Sequence, residues 1–190
     1  LILNLVFKFD SSATTKDVDT LKTNVTNTLQ TFNDNELEQF EGMYRHSKVT
    51  GLIDGADTSI TSNITTVKLA KKFTPTLASN ATYTINFDNT FYNPKRHRID
   101  YAYSEEHAKT LGVIISSSGF KISGDATNEM FFDDDGQGAL RMYYLSAGER
   151  IYQDLTAGVV DYENGTVTLN GTIFTTVSDV DGVSSSQIRI

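Results

Sequence analysis

The stretch "GVVDYENGTVTL", residues 158–169, decides how the chain folds. Asn164-Gly165 is the residue pair that suits a two-residue type I′ turn, whose twist matches that of the strands it joins. A two-residue turn there sets Tyr162 opposite Val167 and Val160 opposite Leu169, all on one face. Asp161, Glu163, Thr166 and Thr168 fall on the other. One apolar and one polar face is what an antiparallel sheet shows when it covers a core on one side and meets water on the other.

The same two-residue alternation extends back toward residue 80. Tyr83, Ile85 and Phe87 alternate with Thr84 and Asn86. "VIISSS", "FKIS", "EMFF", "ALRMYYL" and "RIYQDL" follow, with turn signals between them. Residues 79–190 therefore read as an all-β antiparallel, sandwich-like domain.

Ahead of residue 79 the period changes. "LILNLVFKF", residues 1–9, reads as a strand. Val18, Leu21, Val25, Leu29 and Phe32 recur every three or four residues, one face of a helix near 14–32. Thr14 and Asp17 have capping-box spacing at its start. "NDNELEQFEGMYRHS" fits either a short helix or an extended crossing. Ser47 is placed to cap a second helix over 47–55, with Val49, Leu52, Ile53 and Ala56 inward and Gly55 near its end. "SITSNITTVKLAKKFTP" reads as a long strand ended by Pro75. Residues 1–78 thus form a small α+β strand-helix-helix-strand module, and "TLASN", residues 76–80, is the boundary.

Bulk properties narrow the function. The 190 residues include no Cys, which excludes disulfides, thiolate zinc sites and cysteine nucleophiles. No apolar run approaches the ~18 residues of a membrane helix, and no signal-cleavage pattern follows "LILNLVF". The first residue is Leu1, and the chain reads as a piece of something longer. The formal charge of −8 argues against non-specific nucleic-acid binding. Residues 1–78 carry 8 basic and 9 acidic side chains, and residues 79–190 carry 8 and 15. The acidic second half suits solubility or a basic partner. Five Asn-x-Ser/Thr triplets, at Asn24, Asn63, Asn80, Asn164 and Asn170, are what chance supplies in a chain this rich in Asn and Thr.

The most concentrated chemistry is "FFDDDGQGALRMYY", residues 131–144. A calcium loop needs oxygen ligands at alternate positions before its Gly, and a closing Glu. Counted from Gly136, Asp135 and Asp133 fit, but the next position is Phe131 and the closing one is Met142. Neighbouring strand residues also point to opposite faces, so three adjacent Asp cannot converge. Asp133, Asp134 and Asp135 are therefore expected to form a solvent-facing turn without metal, and "SDVDGVSS", with Asp179, Asp181 and Gly182, is the same device. His46, His97 and His107 have no zinc-site spacing. His97 with Asp100 lacks a nucleophile elbow, and Glu105, Glu106 and His107 read as a solvated surface. "NPKRHR", residues 93–98, is the one basic cluster, better suited to an acidic protein partner than to nucleic acid. No catalytic, cofactor-binding or metal-ligating residue is assigned, and no cofactor is expected.

Two stretches carry a resemblance. One is "FNDNELEQFEGMYRHSKVTGLIDGADTSITSNITTVKL", residues 32–69, with Ser47 opening a helix and Asp57, Ser59 and Ile60 starting a strand in a "D-x-S-I" pattern. The other is "GVVDYENGTVTLNGTIFTTVSDVDGVSSSQIRI", residues 158–190, whose Gly158, Val160, Asp161, Tyr162 and Gly165 fit a "G-x-(I/V)-D-Y-x-x-G" hairpin. Together they resemble the large baseplate wedge subunit of T-even-type contractile-tailed bacteriophages, and the first is similar to the broader baseplate-J-like family. The resemblance implies a structural virion protein of the tail baseplate, assembled in the host cytoplasm. Such a subunit clamps a second copy of itself and joins wedges into a ring around the hub. It implies wedge, hub or sheath proteins as partners, and neither active site nor cofactor; no nucleic-acid or membrane partner is expected from the charge and hydropathy above. Two other classes are open on the residues alone. One is a carbohydrate-binding or adhesin module with Tyr92, Tyr101 and Tyr103 as its stacking platform. The other is a metal-dependent hydrolase using Asp133 and Asp135.

Overall fold

A computed structural model describes residues 1–92 and 113–190. The chain divides into two compact units, Leu1–Leu69 and Ala70–Ile190.

The first unit is α+β, as the periodicity predicts. Strand β1 (Ile2–Phe9) leads to helix α1 (Val18–Phe32), a π-turn over Asn33–Leu37, helix α2 (His46–Asp54) and strand β2 (Ile60–Lys68). β1 and β2 pair antiparallel, Ile2 opposite Lys68 through Phe7 opposite Asn63, with an irregularity at Lys8/Phe9. The apolar face read from the sequence is the buried one from Leu21 onward, whereas Val18, in the first turn of α1, is exposed. Val25 and Phe32 of α1, Val49 and Ile53 of α2, and Ile60 form the core, with Leu3, Leu5 and Phe7 of β1 against it.

Both helix starts differ from the expected ones. α1 begins at Val18, and its cap is Asp17, whose carboxylate accepts from the Thr20 N–H at 2.7 Å. Thr14 instead accepts from the Lys16 N–H at 3.1 Å and holds the turn before the helix. A carboxylate one turn nearer the apolar face meets the free N–H groups directly, so Asp17 takes the role that the capping-box spacing gave to Thr14. α2 begins one residue before Ser47, after an extended Arg45 that supplies no side-chain cap. Ser47 therefore sits in the first turn, where its carbonyl accepts from the Thr50 hydroxyl at 3.1 Å. The ambiguous segment after α1 continues as a π-turn, with the Glu38 N–H donating to the Asn33 carbonyl at 2.9 Å, before it becomes a loop.

The "D-x-S-I" start of β2 has a physical basis. Asp57 accepts from the Ser59 N–H at 3.0 Å and the Ser59 hydroxyl at 2.7 Å, a local turn that launches the strand. Its other oxygen accepts from Lys16 at 2.5 Å. The Lys16 hydrogen bond first, and then the two from Ser59, lower the Asp57 carboxyl to about 2, from an ordinary 3.8. A lowered folded-state value means that Asp57 contributes stability above the ordinary range, and that this is lost as pH falls through about 2. Asp57→Asn is expected to flatten the fall in stability between about pH 4 and pH 2. Acid unfolding of the two proteins, followed by circular dichroism, checks it; superimposable curves would remove Asp57 from the account.

The second unit is antiparallel β. The strand expected over 59–75 stops at Lys68, and β3 (Lys72–Phe73) instead pairs with β10 (Ile188–Arg189). Residues 70–75 therefore take part in the second unit's structure. Between these two lie β4 (Asn80–Asn86), β5 (Phe120–Ile122), β6 (Asp125–Asp134), β7 (Ala139–Ser146), β8 (Glu149–Asp161) and β9 (Thr166–Val177). β9 is used more than once. Its Thr166–Leu169 half pairs with β8, and its Phe174–Val177 half with β5. β4 lies along Thr166–Ile173. Since β5, β6, β7 and β8 also pair in sequence, the ladder returns to β9 and five strands close into a barrel. The sandwich-like packing is thus achieved by one sheet closed on itself. Gly171, at φ +63°, lies between the two pairing halves of β9.

Phe120, Met130, Phe132, Leu140, Val167, Leu169 and Phe174 are fully buried in this unit. Phe174 is the centre of an aromatic cluster, with ring centroids 5.1 Å from Phe120, 6.0 Å from Tyr83 and 6.2 Å from Phe73.

The hairpin that decided the fold is present in a different register. Asp161 stands opposite Thr166 and Val160 opposite Val167, so the loop has four residues, 162–165. A type I′ turn needs positive φ at both central residues, and here Gly165 has it (+63°) while Asn164 does not. The Asp161 carboxylate makes the difference. It accepts from the Glu163 and Asn164 N–H groups at 3.0 Å and from the Asn164 side chain at 2.7 Å, which stabilises the longer loop. Moving a pairing by two residues preserves the faces. Val160, Tyr162, Val167 and Leu169 are accordingly all buried.

Candidate functional site

Strand geometry resolves the three adjacent aspartates. β6 runs through Asp134, so its alternation continues into the acidic run. Phe132 and Asp134 share the core face, while Phe131 and Asp133 share the opposite one. Asp133 and Asp134 are both fully buried, which overturns the expected solvent-facing turn. The turn proper is Asp135 to Gly138. Asp135 accepts from the Gln137 N–H at 2.7 Å and the Ala139 N–H at 3.0 Å, and Gly136 and Gly138 have positive φ.

The two buried carboxylates have different partners. Asp133 lies opposite Arg141 in the ladder and accepts from its Nε at 2.9 Å. Its other oxygen accepts from Arg150 at 2.7 Å and from the Tyr152 hydroxyl at 3.0 Å. The guanidinium groups also cover aromatic faces, Arg141 over Tyr152 at 4.4 Å and Arg150 over Tyr143 at 4.8 Å. A charge this deeply buried requires such compensation. Burial, and then Asp133, raise the Tyr152 hydroxyl above its ordinary value, so it stays a donor.

Asp134 holds backbone instead. One oxygen accepts from the Ile114 and Ile115 N–H groups at 2.6 and 2.7 Å. The other accepts from the Tyr162 hydroxyl at 2.6 Å and the Gly136 N–H at 3.1 Å. Burial, and then the Asp134 hydrogen bond, push the Tyr162 phenol far above its ordinary range. Asp134 thus pins the segment before β5 to the β6–β7 turn and to the β8–β9 loop.

Each oxygen of Asp133 and Asp134 accepts at least one protein donor, an arrangement that suits a structural strut. Among the described residues no three His, Asp or Glu side chains are grouped to hold a metal. The two carboxylates named for a metal hydrolase do not converge. Asp133 is engaged by two arginines on one face, and Asp135 caps a turn. Asp181 is exposed and pairs with Arg189 at 2.5 Å. His46 opens α2, its ring 3.3 Å from the Tyr44 hydroxyl. The basic cluster at 93–98, His97 with Asp100, Glu105 to His107, and Tyr101 and Tyr103 lie outside the described residues. Tyr92 is exposed. No described helix is long and apolar enough to cross a membrane.

The surface of the first unit carries what sequence reasoning missed. Val6 and Ile64 are cross-strand partners, 66% and 71% exposed, on the face of the β1–β2 ribbon away from the helices. The loop after the π-turn exposes Phe40 at 96% and Met43 at 66%. Val6 and Ile64 were legible as outward positions once β1 and β2 were paired. Phe40 lay in the segment left ambiguous.

Residues 2–72 match the family described as baseplate structural protein gp6, C-terminal domain III. The first unit is similar to a phage baseplate domain. That match supports a structural protein of a phage baseplate, with a place in the virion tail and contacts to other baseplate components. It includes the whole of the first stretch that carried the resemblance and stops short of the second. No curated protein matches the chain.

Proposed function

We propose that the chain is an assembly module of a baseplate wedge subunit, of the kind found in T-even-type contractile-tailed phages and related to the baseplate-J-like family. It joins wedges into a ring around the tail hub by contact with a second copy and with neighbouring wedge, hub or sheath proteins, and it is built into the tail in the host cytoplasm. The match of residues 2–72 to a baseplate structural domain carries this reading. The unit Leu1–Leu69, which holds nearly all of the matched residues, is then the contact module, and the β unit is a second domain of the same subunit. In this reading no residue is catalytic and no cofactor is held. The donor-saturated state of Asp133 and Asp134 supports that view.

Sedimentation of the intact protein over a wide concentration range tests the proposal, together with co-purification from infected cells. The expected result is self-association and recovery with tail components. Contacts that are weak singly become strong collectively in a ring, so high concentrations are needed. An intact protein that neither self-associates nor accompanies tail components, or that turns over a substrate, would defeat the reading.

A further inference from the structure

The first unit contains a groove of about 390 Å³, lined by Leu3, Leu29, Phe32, Leu37, Tyr44 and Val49 among others. Glu38 and Gly42 are also part of its wall. Phe40, between these two in the chain, is 96% exposed. An apolar ring in water and an apolar groove in water therefore occupy one patch.

The loop holds that ring out by a constrained backbone. The Gly42 N–H donates to the Gln39 carbonyl at 2.9 Å, which closes a four-residue turn with Phe40 and Glu41 at its tip. Glu41 has φ +63°, a left-handed conformation usually left to Gly or Asn. A Cβ on Gly42 would stand 2.3 Å from the Leu37 carbonyl oxygen, so the loop is seated directly on the π-turn. Strain of this kind persists where surrounding structure enforces it, and it is concentrated at functional sites.

Charge supplies the identity of the occupant. Glu41 and Arg45 are exposed, and among the described residues neither side chain has an ion-pair or hydrogen-bond partner. One unpaired anion and one unpaired cation thus lie in the same loop as the exposed ring, each next in sequence to a groove residue, Gly42 and Tyr44. A patch with both halves of each complement is what an isologous two-fold contact requires. We infer that the Glu38–Arg45 loop is a self-contact: Phe40 of each copy enters the groove of the other, and Glu41 of each copy pairs with Arg45 of the other. The inference rests on the assembly reading above and names the surface that performs it. The groove lies within the roughly 300–1,000 Å³ of ordinary binding pockets, with room for one phenyl ring. A buried aromatic anchor inside a charged rim is also the usual distribution of interface energy.

The test uses the full chain and sedimentation equilibrium. Phe40→Ser is expected to weaken self-association at least ~10-fold with an unchanged circular dichroism spectrum and melting temperature. Glu41→Arg alone and Arg45→Glu alone are each expected to be monomeric where the unaltered protein is dimeric, because like charges then face each other. Mixing these two variants should restore a 1:1 dimer, since each then meets its opposite. The doubly substituted E41R/R45E chain should self-associate as the unaltered protein does. A dimer that persists in Phe40→Ser, or single-charge variants that stay dimeric, would overturn this contact and leave the assembly reading standing on another surface. Retained self-association with loss of a different tail protein would likewise assign the patch to that partner and overturn the inference. An unaltered protein that never self-associates but still co-purifies with tail components would defeat the self-contact alone.

Discussion

Asp134→Ala is expected to destabilise the second unit by about 3 kcal/mol or more, because it strands several buried donors at once and each unsatisfied one costs about 1–3 kcal/mol. The Ile114 and Ile115 N–H groups, the Gly136 N–H and the Tyr162 hydroxyl all end on this one side chain. Asp134→Asn separates acceptor from charge. Its remaining oxygen can keep Ile114 and Ile115, and the Tyr162 hydroxyl can turn to accept, but the Gly136 N–H faces an amide donor. A smaller loss of about 1–2 kcal/mol follows. Asp135→Ala, in the partly exposed turn, should cost about 1 kcal/mol. Urea unfolding midpoints of the three variants check the ranking. An Asp134→Ala protein no less stable than Asp135→Ala would mean that the aspartate run is a surface turn after all.

The second large effect is expected at Phe174. Truncation to Ala removes a fully buried ring that contacts Phe73, Tyr83, Phe120 and Phe132. Such substitutions cost about 3–5 kcal/mol, the lost transfer energy plus the cavity left behind. The neighbours are rings on four strands, β3, β4, β5 and β6, whose ladders keep them from all collapsing inward together. The loss should therefore fall at the upper end of that range. Combining Phe174→Ala with Phe120→Ala should cost less than the sum, since the two rings share one contact. Calorimetric melting of the single and double variants measures both statements. Strict additivity would show that the rings do not form one cluster.

Periodicity was the legible part of this fold. The helix face from Leu21 to Phe32 and the core face of Val160, Tyr162, Val167 and Leu169 follow from residue spacing alone, because burial selects one face of each element. Registers and ends were less legible, because they depend on single polar groups. Asp17 moved the start of α1 by capping it, and Asp161 lengthened the β8–β9 loop by binding its N–H groups. The aspartate run shows the same competition. Composition favoured a turn, since Asp and Gly are turn residues, and the strand nevertheless continued through Asp134. One signal could have corrected this. Centring the hairpin on Gly136 to Gly138 places Arg141 opposite Asp133, a cation across from an anion that otherwise has no reason to be buried. The exposed Phe40 carried no periodic signal, because loops are not selected by burial.

The double use of β9 also sets an order of events. The ring cannot be complete until residues 166–177 are available, because β5 and β8 both close on that strand, and β4 pairs with it alone. Asn80 waits for Ile173, a partner more than ninety residues further along the chain. The first unit has its strand partners within residues 2–68. On a ribosome that releases roughly 5–20 residues each second, the first unit can be in place several seconds before the barrel can close. During that interval β4 has an unpaired backbone and no ladder to join, the condition under which chains aggregate or engage chaperones. A high-contact-order barrel that follows an early-completed α+β unit thus leaves the first unit folded while the second is still open.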